Sequence, residues 1–171
     1  MAVLLLDILG SNGFKGYPPL TLTNEEETAI AALTFIGTVY PHQLDHMGHM
    51  NVQHYVAMFD QASWAFFESF GLSARRMELE GLGMAALVQH NEYRQELFAG
   101  TVVDITTEVL EVNTKTVRFR HVMRRRPDRA VAATSELVAA LIDRRERRAR
   151  PWPDDLREAL KRQLEPHASA D

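Results

Sequence analysis

From Asn51 to Gly71 the chain reads NVQHYVAMFDQASWAFFESFG, and no other stretch limits the possible folds as strongly. Val52, Tyr55, Val56, Phe59, Ser63, Phe66, Phe67 and Phe70 recur at steps of three and four, which places them on one face of an α-helix. Asn51 suits the N-cap and Gly71 the position just past the C-terminus. Ala62, Trp64 and Ala65 carry the apolar surface beyond a single stripe. Such a helix is expected to be mostly enclosed, so the remaining chain must wrap it.

The wrapping is legible downstream. SARRMELEG reads as a short helix, and four strand-like runs follow at 84–98, 101–112, 115–126 and 129–142. Turn signals separate the runs near Gly100, Asn113 and Pro127–Asp128. In the third run Val117, Phe119, His121 and Met123 alternate with Arg118, Arg120, Arg124 and Arg126, which marks one face as core. Short connections favour antiparallel pairing. A fifth β-type run, LTFIGTVYP, precedes the long helix, and PWPDDLREALKRQL reads as a capped C-terminal helix. One long apolar helix against a mainly antiparallel five-stranded sheet is an α+β architecture.

Three segments are expected: an N-terminal arm with a short helix (1–32), the main domain (33–143), and a basic segment with the C-terminal helix (144–171). The arm contains the Gly- and Pro-rich run GSNGFKGYPPLTLT, then TNEEETAIAAL, where Thr23 can cap and Glu26 follows three residues later. The opening MAVLLLDILG has no basic n-region and Asp7 interrupts its apolar run, so it reads as a packing arm rather than a targeting signal. No apolar run reaches the roughly 18 residues that span a bilayer, and no membrane partner is expected. The chain has no cysteine, which removes disulfides and thiolate chemistry and suits a reducing cytoplasm. Net charge is −4, with no motif for reading nucleic acid. Eleven of the sixteen arginines nevertheless lie within 118–150. They form either a solvated face or a set of phosphate contacts.

The chemistry concentrates where the long helix begins, in LDHMGHMNVQHY (44–55). His42, His46, His49, His54 and Asp45 are all metal-ligating types, but their spacing fits no helical ligand pair, and no metal is expected. Asn51 as a cap, Gly48 as a turn and Asp45 as an acceptor for exposed backbone N–H groups give a purely structural account. The same geometry also builds a reaction site. A helix N-terminus offers unpaired N–H groups and partial positive charge to a developing oxyanion, and a nearby carboxylate can assist attack on a carbonyl.

This motif, followed by a long aromatic helix and four strands, resembles the hotdog-fold acyl-CoA thioesterases of the 4-hydroxybenzoyl-CoA thioesterase type. Their pattern is Asp-x-x-Gly, then His-x-Asn, then a helix Tyr, and Asp45, Gly48, His49, Asn51 and Tyr55 fall on it. YRQELFAG (93–100) is similar to the segment entering the family's third strand. The resemblance implies a hotdog fold, with a central helix wrapped by a curved sheet, and hydrolysis of an acyl-CoA without a cofactor. It implies Asp45 as nucleophile or general base and the Val52 backbone N–H as oxyanion donor. His49 matches a histidine of the related plant acyl-carrier-protein thioesterases, where it would orient water or substrate, or else it braces the loop. Asn51 is a cap or a catalytic group; Gly48 and Tyr55 would border the substrate. Asp60, at the edge of the buried face, is either a second polar group at the site or a hydrogen-bond partner for the loop. A homodimer or dimer of dimers is implied. The chain departs from the pattern at Gln43, where many members have Asp, and at Met47, where the plant enzymes have Asn.

A thioester suits so little equipment. A thiol with a pKa near about 8.5 departs as thiolate without a strong general acid. No Gly-x-Ser-x-Gly elbow is present. Two rival functions are a non-catalytic acyl-CoA-binding hotdog module and a hotdog hydratase or dehydratase. The latter resembles Asp-x-x-x-x-His, and Met50 stands where that histidine would be.

Overall fold

A computed structural model describes residues 31–164. Strand β1 (Ala32–Thr38) leads through a short 3-10 turn, Pro41–Gln43, to the long helix α1 (Val52–Ser69). Helix α2 (Ala74–Glu80) follows, then β2 (Leu82–Tyr93), β3 (Val102–Val112), β4 (Thr116–Arg125), β5 (Val131–Asp143), the two-residue β6 (Arg148–Ala149) and helix α3 (Asp154–Arg162). The strands lie in the order β1-β3-β4-β5-β2, with β6 on β5, and every pairing is antiparallel. The four long ladders each slip register once, at Leu33/Phe35, Ala86/Val88, Val109/Glu111 and Met123/Arg124. Bulges of this kind increase local twist and curvature, so the sheet curls around α1. The expected α+β hotdog architecture is what the chain adopts.

Asn51 caps α1 as its sequence position implies: its side chain accepts the Gln53 N–H at 3.1 Å. Gly71, with φ 93°, takes the left-handed conformation that ends the helix. The buried face of α1 is Tyr55, Met58, Phe59, Ala62, Ser63, Phe66 and Phe67. Val52 is not part of it, being 53% exposed. Trp64 and Ala65 are exposed as well, so enclosure is incomplete. The sheet has one concave side, and a single curled layer covers only the half of the helix turned toward it.

Two apolar clusters fill the space between helix and sheet. One gathers Phe66, Phe67, Phe70, Val117, Phe119 and Leu141 with Trp152, Leu156 and Leu160, so α3 and the turn before it close the distal end. The other, around Tyr55, Met58, Phe59, Leu97, Ile105 and Met123, lies under the start of α1. A polar seam separates them. Ser63 Oγ lies 2.9 Å from His121 Nε2, Thr107 Oγ1 lies 2.7 Å from Nδ1, and Thr34 Oγ1 lies 2.7 Å from Thr107 Oγ1. His121 has no exposed surface and stacks on Phe59 with ring centroids 5.8 Å apart. One ring nitrogen carries the proton and the other accepts, which ties helix, β4, β3 and β1 into one chain of hydrogen bonds.

Two expected boundaries move. The run at 84–98 leaves the sheet after Tyr93: the N–H groups of Arg94 and Gln95 both turn to the Ala132 carbonyl. Ala32, placed by sequence in the arm, belongs to β1, which is expected to open at Leu33; the arm up to residue 30 lies outside the described residues.

Burial of His121 pushes its pKa down from the ordinary 6.5 to about 3. The unfolded chain takes up a proton near 6.5, so this group's contribution to stability is complete above that pH and is lost as pH falls through the window toward 3. Urea unfolding at pH 7 and pH 5 should show wild type losing about 2 kcal/mol more than His121→Gln over that interval. Equal losses would count against the seam as described.

Candidate active site

The junction LDHMGHMN folds as a tight hairpin. Leu44 and Met50 form an isolated antiparallel bridge, and the Asn51 N–H donates to the Gln43 carbonyl at 2.9 Å. Inside it the Asp45 N–H donates to the His49 carbonyl at 3.0 Å and the Gly48 N–H to the Asp45 carbonyl at 3.1 Å. Gly48 sits at φ 83°, a conformation that an L side chain would strain. Asp45 Oδ1 accepts the Met47 N–H at 2.8 Å, the Asx turn that aspartate favours at the first position of a turn. Asp45 and the first turn of α1 therefore sit on the two arms of one short hairpin.

The Met50 N–H donates to the Leu97 carbonyl at 2.7 Å, which docks the hairpin on the loop that follows β2. That loop brings in Glu96. His49 stands between two carboxylates, with Nδ1 3.9 Å from Asp45 Oδ2 and Nε2 3.6 Å from Glu96 Oε1. These side chains are 20%, 17% and 32% exposed for Asp45, His49 and Glu96, half-sheltered but reachable. Tyr55 is buried, and its hydroxyl donates to the Gln95 carbonyl at 3.1 Å. Burial first, then the charges of Glu96 and Asp45, push its pKa up to about 12, so the phenol stays protonated and holds the loop. Its ring meets Tyr93 edge to face at 5.3 Å.

At the helix start, Asn51 Oδ1 takes the Gln53 N–H, and among the described residues the Val52 N–H has no acceptor. The structure thus brings together Asp45, Gly48, His49, Asn51, Val52 and Tyr55. Asp60 is apart: it is exposed on α1, and no loop group among the described residues hydrogen-bonds to it, so the expected bracing contact is absent. His42 and His54 meet each other edge-on at 6.5 Å, with Tyr40 stacked on His42. Glu96 is the residue that sequence reasoning misplaced, inside the strand run at 84–98. YRQELFAG carries no turn former before Gly100, four residues past Glu96, so no local signal marks the end of the strand at Tyr93.

Around this centre Met47, Val52, Tyr93 and Phe98 are each at least two-fifths exposed, an apolar collar on an otherwise charged surface. At the ends of β3 and β4, Asp104 is 3% exposed and accepts Arg129 at 2.5 Å, with Arg126 Nε at 3.5 Å. The guanidinium groups of Arg126 and Arg129 remain about half exposed. Arg118 and Arg120, by contrast, are committed to Glu108, Glu111 and Glu136 on the outer sheet face.

The family model of the thioesterase-like superfamily matches residues 39–160, which takes in the hairpin, the helix and all the long strands but β1. The chain belongs to the thioesterase-like superfamily. It is a hotdog-fold thioester hydrolase, and the general activity is that of an acyl-CoA thioesterase. Among solved structures, the thioesterase is similar to Staphylococcus aureus SAV2348, determined in complex with CoA, at 26% identity over 79% of this chain and 83% of that one, with TM-score 0.70. The Synechocystis 1,4-dihydroxy-2-naphthoyl-CoA thioesterase Slr0204 has 14% identity, covers 78% of this chain and 98% of its own, and superposes with TM-score 0.69. The DHNA-CoA thioesterase of Staphylococcus aureus has 16% identity over 78% and 91%, with TM-score 0.71. The last two likenesses concern the fold. No curated protein matches the sequence of this thioesterase. Among the described residues no helix is long and apolar enough to cross a membrane.

The cap predicts its own cost. Asn51→Ala should lower unfolding free energy by about 1 kcal/mol, while Asn51→Asp, which can still accept the Gln53 N–H, should stay within a few tenths. Chemical denaturation measures both; no loss in the alanine variant would remove the cap from the account of this loop.

Proposed function

We propose that the enzyme hydrolyses an acyl-CoA to a free acid and coenzyme A at the hairpin that carries Asp45. The carrying observation is a half-sheltered carboxylate and a helix N-terminal amide without an acceptor among the described residues, borne on the two arms of one turn. Asp45 either attacks the thioester carbonyl or draws a proton from water as the water attacks. In both cases the carbonyl oxygen becomes anionic, and the Val52 N–H, at the positive end of α1, stabilises it. The tetrahedral intermediate collapses by breaking the C–S bond, and the thiolate leaves unaided. If Asp45 is the nucleophile, water then hydrolyses the resulting anhydride. His49 and Glu96 orient the water, the imidazole lying within 4 Å of a carboxylate on either side. Gly48 and Tyr55 shape the approach, the first through its turn and the second by holding the 94–98 loop. Asp60, exposed on α1 and apart from the hairpin, would meet only a polar acyl substituent that reaches along the helix.

The active unit is a homodimer or a dimer of dimers. Support comes from β2, an edge strand in the protomer with Leu87 58% and Val88 45% exposed. An apolar free edge of this length invites pairing with a second β2. Arg126 and Arg129 hold the nucleotide phosphates of coenzyme A, with Asp104 fixing their guanidinium groups from behind.

Asp45→Asn should lower turnover at least about a hundredfold in a thiol-release assay, with KM little changed. Wild-type turnover across a panel of short, branched, aromatic and cationic acyl-CoAs would defeat the assignment. Binding of acyl-CoA with no thiol release by the wild type would favour the non-catalytic module. Separately, Arg126→Ala with Arg129→Ala should raise KM for an acyl-CoA about tenfold or more and leave an acyl-pantetheine substrate, which lacks the nucleotide, unaffected.

A further inference from the structure

The polar seam under α1 does not stop at His121. In the strand register Thr107 stands opposite His121, His121 opposite Ser135, and Ser135 opposite Asn91, so one polar row crosses the concave face from β3 to the edge strand β2. The neighbouring rows are apolar on β3, β4 and β5: Ile105, Met123 and Ala133 on one side, Val109, Phe119 and Leu137 on the other. Alternate residues share a face of a strand, so Gln89, Asn91 and Tyr93 all project to the concave side with this row. The edge-to-face contact of Tyr93 with Tyr55 of α1 agrees with that placement.

The helix accounts for the His121 half of the row, since Ser63 and Thr107 take both ring nitrogens. It does not account for the β2 half. Gln89 Nε2 donates to Ser135 Oγ at 3.2 Å and to Asn91 Oδ1 at 3.3 Å, and the Asn91 side chain hydrogen-bonds that of Tyr93. Among the described residues no group of α1 hydrogen-bonds Gln89, Asn91 or Ser135. Ser135 has no exposed surface, yet its hydroxyl, able to donate once and accept twice, meets only the Gln89 amide. Solvent exposure does not explain the strip, because Leu87 and Val88 on the same strand are exposed and apolar.

The strip begins at the reaction centre. Tyr93 touches Tyr55, which lies one turn into α1 from Val52 and feels the charge of Asp45. Asn91 lies about 7 Å beyond Tyr93 along β2, and Gln89 about twice as far. Gln89, Asn91 and Ser135 are all uncharged, so the strip offers amide and hydroxyl hydrogen bonds and no counter-ion.

From this arrangement we infer that Gln89, Asn91 and Ser135 bind an uncharged hydroxyl or keto oxygen in the distal part of the acyl group, so that the substrates are oxygenated acyl-CoAs rather than plain hydrocarbon ones. The inference rests on the hydrolysis at Asp45 proposed above. A hydrocarbon chain laid along the strip would remove water from these polar groups and return no hydrogen bond, whereas an oxygen substituent replaces what water gave. Pairing of β2 with a second copy uses backbone groups in the plane of the sheet and leaves these side chains facing the cleft.

A matched pair of substrates reads the strip directly: a medium-chain ω-hydroxyacyl-CoA and the unsubstituted acyl-CoA of the same length, compared by thiol release. Wild type should favour the hydroxylated member at least about tenfold in kcat/KM. Gln89→Met with Asn91→Leu should bring that ratio to about one, and Ser135→Ala should lower it severalfold. A wild type that does not distinguish the pair overturns the inference. So does a double variant that keeps the wild-type ratio, including one that slows both substrates alike, which would mark the strip as part of the fold or of the β2 pairing. If neither substrate releases thiol, hydrolysis at Asp45 fails instead, and calorimetry on the same pair decides the strip alone. The hydroxylated member should then bind at least about tenfold tighter, and equal affinities would reject the reading.

Discussion

The structure depends on one burial event, the seating of α1 in the concave side of the sheet. Eighteen residues of helix place Phe59, Phe66 and Phe67 under the strands, and the bulge in each long ladder bends the sheet to meet them. An apolar contact alone would leave the helix free to slide along its groove. The seam of Ser63, His121, Thr107 and Thr34 prevents that, because a hydrogen bond shifted by one turn leaves a buried donor or acceptor unpaired, at a cost of about 1 to 3 kcal/mol. Helix register is therefore set in the middle of the molecule.

The fixed register also sets where the hairpin at the start of α1 lies. The N-terminus of α1 emerges where β1 ends and where the chain leaves β2, so two segments, the hairpin with Asp45 and His49 and the loop with Glu96, meet in one place. None of the three is deeply buried. Their arrangement comes from backbone hydrogen bonds, Met50 to Leu97 and Asn51 to Gln43, rather than from strong ion pairs. A carboxylate bound instead in a tight salt bridge would be a poor nucleophile or base. Here Asp45 Oδ1 is occupied by its own turn and Oδ2 is directed toward His49 at a distance longer than a hydrogen bond.

The arginines divide by their partners. Arg118 and Arg120 neutralise carboxylates across neighbouring strands. Arg126 and Arg129 instead stand around one buried aspartate and are about half exposed. On the side of α1 turned from the sheet Trp64 is exposed, and on the edge strand β2 so are Leu87 and Val88.

By itself the sequence determined the elements and the branch of the family. The three- and four-residue spacing from Tyr55 to Phe70 can be satisfied only by a helix, and the alternation from Val117 to Met123 only by a half-buried strand, because both follow from local backbone geometry. The Asp-x-x-Gly turn and the Asn51 cap are equally local. Tertiary structure decided which apolar residues were covered, since a single sheet shields one side of α1 and leaves Trp64 outside. It also decided that Glu96 leaves its strand and turns toward His49, and that His121 is a buried link rather than one more core position. Those outcomes depend on residues tens of positions apart in the chain, and nothing in a local period encodes which of them will meet.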